Sequence, residues 1–198
     1  MAGYLLTPKR PGEKAGDTPK IAGSKSGLAV VCGSGRTLWE DLAKLGEHGG
    51  AVMAVNLAGC FLKRIPEHWA CVYPDLFQAM LPLRPGAVWQ SDGRLQCGQG
   101  IETHSTHACV GVKHVWKMPR NGSGGLFGVR VALALGYAPV ITSGITLDNA
   151  GRFYDEPGNH PPEDYTGFRA EWVGAAKHEF RGRVQAMSGF LRDLLGGP

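Results

Sequence analysis

The chain has 198 residues, 43% of them hydrophobic, and a formal charge of +4, which suits one sizeable domain rather than two. No apolar run approaches the ~18–20 residues that cross a bilayer, and the N-terminus lacks the apolar stretch of a secretory signal, so a cytoplasmic protein without a membrane span is expected. The five cysteines are widely spaced with no C-x-x-C pair, which argues against a zinc ribbon; Cys32, Cys71 and Cys109 sit in apolar runs and read as buried thiols of a reducing compartment.

Charge is unevenly placed. Residues 1–27 hold Lys9, Arg10, Lys14, Lys20 and Lys25 against Glu13 and Asp17, a surplus of three out of the chain's four. With their Gly, Pro and Ser content they read as a flexible basic arm, either a solubilising leader or a contact for a polyanion. Residues 28–198 form the domain.

Leu28–Cys32 is a short apolar run ending at Gly33-Ser34-Gly35, the pattern of an interior parallel strand. Thr37 and Glu40 suggest a capping box, and Leu38, Leu42 and Leu45 give the following helix its apolar spacing, with Gly46 as its stop. Ala51–Leu57 predicts a second strand, Phe61–Ile65 a short helix, and Trp69–Tyr73 a third strand stopped by Pro74. Asp75 opens a helical segment that Pro82 ends. Ala87–Gln90 and His107–Trp116 are β-like, and Gly124–Leu135 is a helix apolar nearly all round, hence buried. Pro139–Thr142 predicts a further strand reaching Ser143-Gly144. Residues 149–167 read as a long loop, and 170–195 as a helical region interrupted at Gly182 and Gly189. Strands alternating with helices predict an α/β fold: a Rossmann-like, three-layer, open and mostly parallel sheet with helices on both faces.

Such sheets bind ligands beyond the carboxyl ends of their strands. Gly33, Ser34, Gly35 and Arg36, then Asn56, then Tyr73 and Asp75, then Ser143, Gly144 and Thr146 all fall there. Ser123 and Gly124 stand at the start of the buried helix, where free N–H groups attract anions. Gly33-Ser34-Gly35 is either a tight strand–helix turn or a phosphate-facing loop, and Arg36 could add a charge-assisted contact. A side chain at Gly35 is expected to block phosphate approach and leave the fold intact. Ser123 is either an N-cap or a ligand contact. The seven histidines show no metal spacing, although His104 and His107 stand three apart. His160 lies in the long loop among Asp155, Glu156, Glu163 and Asp164, and a loop histidine suits general base catalysis.

The blocks VVCGSGRTLWEDLAKL, AVMAVNLA, ACVYPDLF and NGSGGLFGVRVALALGYAPVITSGI resemble those of the bacterial CMP-sialic-acid-dependent sialyltransferases. They equally resemble the 6-hydroxymethylpterin diphosphokinase-like (MptE-like) domains, including small phage-encoded relatives. The resemblance covers roughly residues 28–155 and implies a Rossmann-like nucleotide-binding fold. It implies that Gly33, Ser34 and Gly35 face the nucleotide, with Asn56, Ser123, Gly124, Ser143 and Gly144 around it. Two positions depart: the first turn reads Gly-Ser-Gly-Arg-Thr where the sialyltransferases carry Asn and Pro-Ser, and Thr146 stands where many relatives have Asp, with Asp148 following.

The expected activity is that of a glycosyltransferase taking a nucleotide-sugar donor as substrate, with no tightly bound cofactor. His160 or an acid of the 148–164 loop such as Asp148 would act as base. The acceptor would be DNA, through a modified base, or a glycan. The alternatives are a pyrophosphokinase using ATP with Mg²⁺ on Asp75 or Asp148, and a domain that binds nucleotide without turnover.

Overall fold

The computed structural model describes residues 22–73, 76, 79–84, 87–89, 95–97, 100–109, 111–117, 123–156 and 163–198. Its centre is a Rossmann-like open sheet of seven strands, all parallel. The strands of this sheet are β1 (Ala29–Cys32), β2 (Ala51–Val55), β3 (His68–Ala70), β6 (Glu102–Ser105), β7 (His114–Val115), β8 (Val140–Ser143) and β9 (Val184–Ala186). Their spatial order is β7-β6-β3-β2-β1-β8-β9, and a separate antiparallel hairpin pairs β4 (Ala87–Trp89) with β5 (Leu95–Cys97).

Alternation in β1 and β2 explains the three layers. A strand points successive side chains to opposite faces. Val31, Met53 and Val55 join one core, with Leu126, Val129 and Leu135 of helix α3 (Gly124–Leu135). Val30, Cys32, Val52 and Ala54 join the other, with Leu38 of α1 (Leu38–Leu45) and Ala58 of α2 (Ala58–Phe61). Helix α4 (Thr166–Ala175), the π-helical turn Ala176–Phe180 and α5 (Gly189–Leu195) extend the α3 side through Trp172, Phe180 and Leu191. Close packing fixes particular glycines: a Cβ on Gly128 of α3 would sit 2.6 Å from Val55 Cγ2, so the helix can lie directly on β2 only without one.

Several sequence expectations shift. Strand β3 runs His68–Ala70, so Tyr73 lies three residues beyond its end, and α2 precedes the expected Phe61–Ile65 helix. The β-like run at 107–116 resolves into β6 before it and β7 at its end. Residues 184–186, expected within a helical region, form β9, because Val184 and Ala186 alternate inward beside β8. Thr37 makes no side-chain capping bond; its hydroxyl is bound elsewhere. The segment opened by Asp75 falls largely outside the described residues, as do residues 1–21. Residues 22–27 run against the end of α3, where Gly23 N and Lys25 N donate to Ala134 O and Leu135 O (both 2.8 Å). Cys32, Cys60 and Cys71 are buried free thiols, and burial pushes Cys32 and Cys71 up to about 12.

A line of buried polar rings crosses the α3 face at β3, β6 and β7. Trp116 Nε1 can only donate, and it lies 3.0 Å from His104 Nδ1. That nitrogen must accept, so the neutral His104 ring carries its hydrogen on Nε2 and donates to His68 Nδ1 at 3.0 Å. His68 in turn carries its hydrogen on Nε2, facing Tyr137 Oη at 3.0 Å. His107, three residues from His104 in the sequence, bonds Thr106 Oγ1. Burial lowers His68 to about 4 and His104 to about 2. Each is neutral in the fold and titrates near its ordinary value, about 6.5, once unfolded. The unfolded chain therefore gains protons first as acid is added. Stability should fall as pH drops from about 6.5 toward 4, by up to about 1.4 kcal/mol per pH unit for each histidine. Urea melts across this range check it. The dependence should shrink in the His68→Gln, His104→Gln double variant, and an equal slope in both proteins would contradict the assignment.

Candidate functional site

Strand β1 feeds β2 on one side through α1, whereas α3 feeds β8 on its other side. The sheet order reverses there, and the carboxyl ends of β1 and β8 open a crevice of about 360 Å³. Gly33, Ser34, Gly35, Asn56, Tyr73, Ser123, Gly124, Gly144, Thr146 and Asp148 of the sequence-derived set line it together. Gly125, Arg152, Tyr154, Glu163, Tyr165 and Phe168 are among the other residues of its wall. No family model, curated protein or solved structure matches the chain.

The floor of the crevice is two glycine turns pressed together. Gly33 N donates to Ser143 O (2.8 Å), and Gly35 N to Gly144 O (2.7 Å). A Cβ on Gly33 would meet Gly144 O at 2.6 Å and Ile145 Cγ1 at 2.5 Å, and one on Gly35 would meet Gly144 O at 2.7 Å. Gly144 itself has φ +63° and its Cβ would strike Leu38 and Gly33. The expectation for Gly35 is thus corrected. Its missing side chain admits the β8 turn before any ligand, and a substitution acts on the fold.

One carboxylate locks this arrangement. Asp41 of α1 is 1% exposed. Its Oδ2 accepts Gly144 N (2.9 Å), Thr37 Oγ1 (2.9 Å) and Ser188 Oγ (2.7 Å). One buried atom thereby ties the start of α1 to the β8 turn and to the entry of α5. Leu38, Asp41, Leu42 and Leu45 form the inward stripe of α1, so an acid in an otherwise leucine stripe was the signal for this residue.

The second wall is the start of α3. Ser123 Oγ accepts Leu126 N (3.3 Å), the N-cap bond, and also Trp172 Nε1 (3.1 Å). Both contacts use oxygen lone pairs, so the hydroxyl hydrogen stays available to a ligand. Gly124 N and Gly125 N belong to the first turn of α3, whose amides have no acceptor within the helix, and both glycines line the crevice. Asn56 stands opposite, at φ +50°. Its amide packs on Gly124, where a Cβ would come within 2.7 Å of Nδ2. Asn56 Oδ1 is buried and has no partner among the described residues. A buried orphan acceptor beside two orphan donors is a polar cradle that the protein alone leaves open.

Other predicted residues are placed differently. Arg36 does not line the crevice: its Nε donates to Ala150 O (2.8 Å) and its Nη2 to Asp155 O (3.0 Å), so it braces the 148–156 loop. Ser143 is fully buried behind the turn, with its hydroxyl unpartnered among the described residues. His160 and Asp75 lie outside the described residues. Asp148 Oδ1 accepts Thr146 Oγ1 (2.8 Å) and Ala150 N (3.1 Å), which orients the carboxylate and leaves Oδ2 free of any described donor. Arg152 Nη2 donates to Glu163 (3.0 Å) and Nη1 to Tyr154 Oη (3.1 Å). Burial and the Glu163 carboxylate push Tyr165 up to about 12, so its hydroxyl is a donor. Among the described residues, no group of three His, Cys, Asp or Glu side chains converges as a metal site.

Replacing Asp41 with Ala should leave the buried Gly144 N without its acceptor and the half-buried Thr37 and Ser188 hydroxyls with only each other, and lower stability by about 3 kcal/mol, more than an ordinary surface change. Thermal melts check this. A melting temperature unchanged from the parent would remove Asp41 from its role. Gly35→Val should likewise lower the melting temperature, in contrast with a substitution that merely blocks a ligand.

Proposed function

We propose that the crevice binds a nucleotide-activated donor and that the chain is a glycosyltransferase. The observation that carries this reading is the cradle of Gly124 N, Gly125 N and the Ser123 hydroxyl at the α3 N-terminus, beside the orphan Asn56 carbonyl at the point where strand order reverses. Backbone donors and the positive end of α3 suit a phosphate that leaves as an anion, and Asn56 Oδ1 suits an N–H or O–H of the base or ribose. Donors fixed before reaction stabilise the departing charge without reorganising, the largest single contribution in many transfers.

Charge favours a donor of low phosphate charge. Arg152 is the one cationic side chain among the described residues lining the crevice, and it is already engaged by Glu163 and Tyr154. A CMP-type donor brings a single phosphodiester charge, which the neutral donors can meet. Asp148, held through Oδ1 with Oδ2 turned free, is the described residue best suited to accept the proton of an acceptor hydroxyl. His160, outside the described residues, retains the same proposed role from the sequence alone.

A second reading keeps the same cradle. Asp148 Oδ2 could hold Mg²⁺ together with ATP phosphates, since that ion commonly takes one or two carboxylates and completes its shell with phosphate and water. This would be the pyrophosphokinase-like activity, with a binding-only domain as the limit in which turnover is absent.

Calorimetric titration with CMP, UDP, GDP and ATP, each with and without Mg²⁺, separates these readings. Metal-independent binding of CMP or a nucleoside diphosphate is expected. Metal-dependent ATP binding alone would replace the first reading by the second. Asn56→Gly keeps a residue at ease at φ +50° and removes the carbonyl, so nucleotide affinity should fall about 5- to 10-fold with the melting temperature nearly unchanged. Equal affinity in the variant would place the nucleotide elsewhere.

A further inference from the structure

Beside the crevice lies a second concavity, a groove of about 490 Å³ lined by Trp39, Phe61, Lys63, Phe153 and Tyr154. Its aromatic groups are unusually open: Phe61 is 50% exposed, Trp39 41% and Tyr154 37%. Exposed aromatic clusters of this kind mark interaction sites more often than isolated surface rings do. They come from three separate places, namely α1, the end of α2 and the loop that Arg36 braces.

The ring geometry restricts what fits. Phe61 and Tyr154 lie near-parallel, 20° apart, with centroids 6.4 Å from each other. Phe153 stands edge-on to both, at 5.2 Å from Phe61 and 5.1 Å from Tyr154. Trp39 backs Phe153 at 5.3 Å. Near-parallel rings with centroids 6.4 Å apart are a stacked pair, and their exposure leaves flat aromatic surface on which a further planar ring can stack. The charged side chain on the groove is a cation: Lys63 has no carboxylate partner among the described residues. An exposed aromatic surface with an adjacent ammonium matches a base and its phosphate.

We infer that the exposed Phe61–Tyr154 pair stacks a nucleobase of a single-stranded nucleic acid, with Lys63 on the strand's phosphate. Tyr154 lines both the groove and the crevice, so a base held here lies next to the proposed donor. In the transferase reading, on which only this part rests, the groove is the acceptor side.

The experiment is fluorescence anisotropy of the full chain with a labelled oligothymidylate, alongside calorimetry with CMP. The variants are Phe61→Leu, which keeps apolar bulk and removes the ring, and Lys63→Ala. Neither residue lines the crevice. Oligonucleotide affinity should fall about tenfold in Phe61→Leu, the loss of one base–aromatic stack, with CMP affinity and melting temperature unchanged. Lys63→Ala should lower the slope of log affinity against log salt by about 1. Undiminished binding in Phe61→Leu overturns the stacking site, as does a parent chain that does not bind the oligonucleotide. An oligosaccharide whose binding depends on Phe61, in place of the oligonucleotide, overturns the choice of ligand. Loss of CMP binding alone sinks the donor reading and leaves the stacking site standing.

Discussion

Burying a carboxylate is unfavourable unless donors replace its water, and Asp41 meets that condition with three of them on one oxygen. The Thr37 and Ser188 oxygens also lie 2.8 Å from each other, so two hydroxyl hydrogens are shared among three oxygens. The donors belong to segments far apart in the chain: the α1 entry, the β8 turn and the β9–α5 turn. A neutral side chain of similar size accepts less strongly, and a larger one does not fit between α1 and the sheet. The position of the crevice floor therefore follows from one electrostatic requirement in the interior of α1. Ser188 brings α5 into the same network, so the C-terminal helix is coupled to the turn that floors the site.

Around that lock, glycine sets distances. Gly33, Gly35 and Gly144 let two strand-end turns share backbone hydrogen bonds at 2.7–2.8 Å. Gly124 and Gly125 do the same between α3 and the opposite wall, the first against Asn56 and the second against Ile145. The result is a small crevice whose polar surface is mostly backbone. Side-chain charge is scarce inside it, and what there is comes from the 148–165 segment through Asp148, Arg152 and Glu163. Backbone and side chain thus divide the labour: the rigid turns hold fixed dipoles, and the loop supplies ionisable groups.

Much of the sheet was legible because burial on both faces leaves little ambiguity. Leu28–Cys32 and Ala51–Val55 are apolar at every position, and Gly124–Leu135 is too apolar for a surface helix and ends at Gly136, φ +107°. Short strands were not legible. Val184–Ala186 has three residues between a π-helical turn and a helix, and only its pairing with β8 makes it a strand. His68 and His104 carry polar rings into a core, which hydropathy reads as loop; their partners Trp116 and Tyr137 are distant in sequence. The strand-end rule collected most of the crevice, since it depends on topology. It misplaced Arg36 and Ser143 because it locates a residue without saying which way the side chain points, and Arg36 turns toward carbonyls of the 148–156 loop.

Arg36 is also what joins the two concavities. Its guanidinium holds Ala150 O and Asp155 O, and Arg36 N donates to Gly151 O (3.0 Å), while Phe153 N donates to Ser34 O (3.0 Å). These bonds strap the loop directly onto the first glycine turn. The strap fixes Asp148 and Arg152 at the crevice, and it fixes Phe153 and Tyr154 in the aromatic groove a few residues later. Any ligand that moves the Gly33–Gly35 turn pulls on the same backbone that positions both sets. The aromatic rings and the crevice carboxylate are therefore parts of one mechanical unit, and occupancy of one concavity bears on the geometry of the other through a handful of main-chain hydrogen bonds.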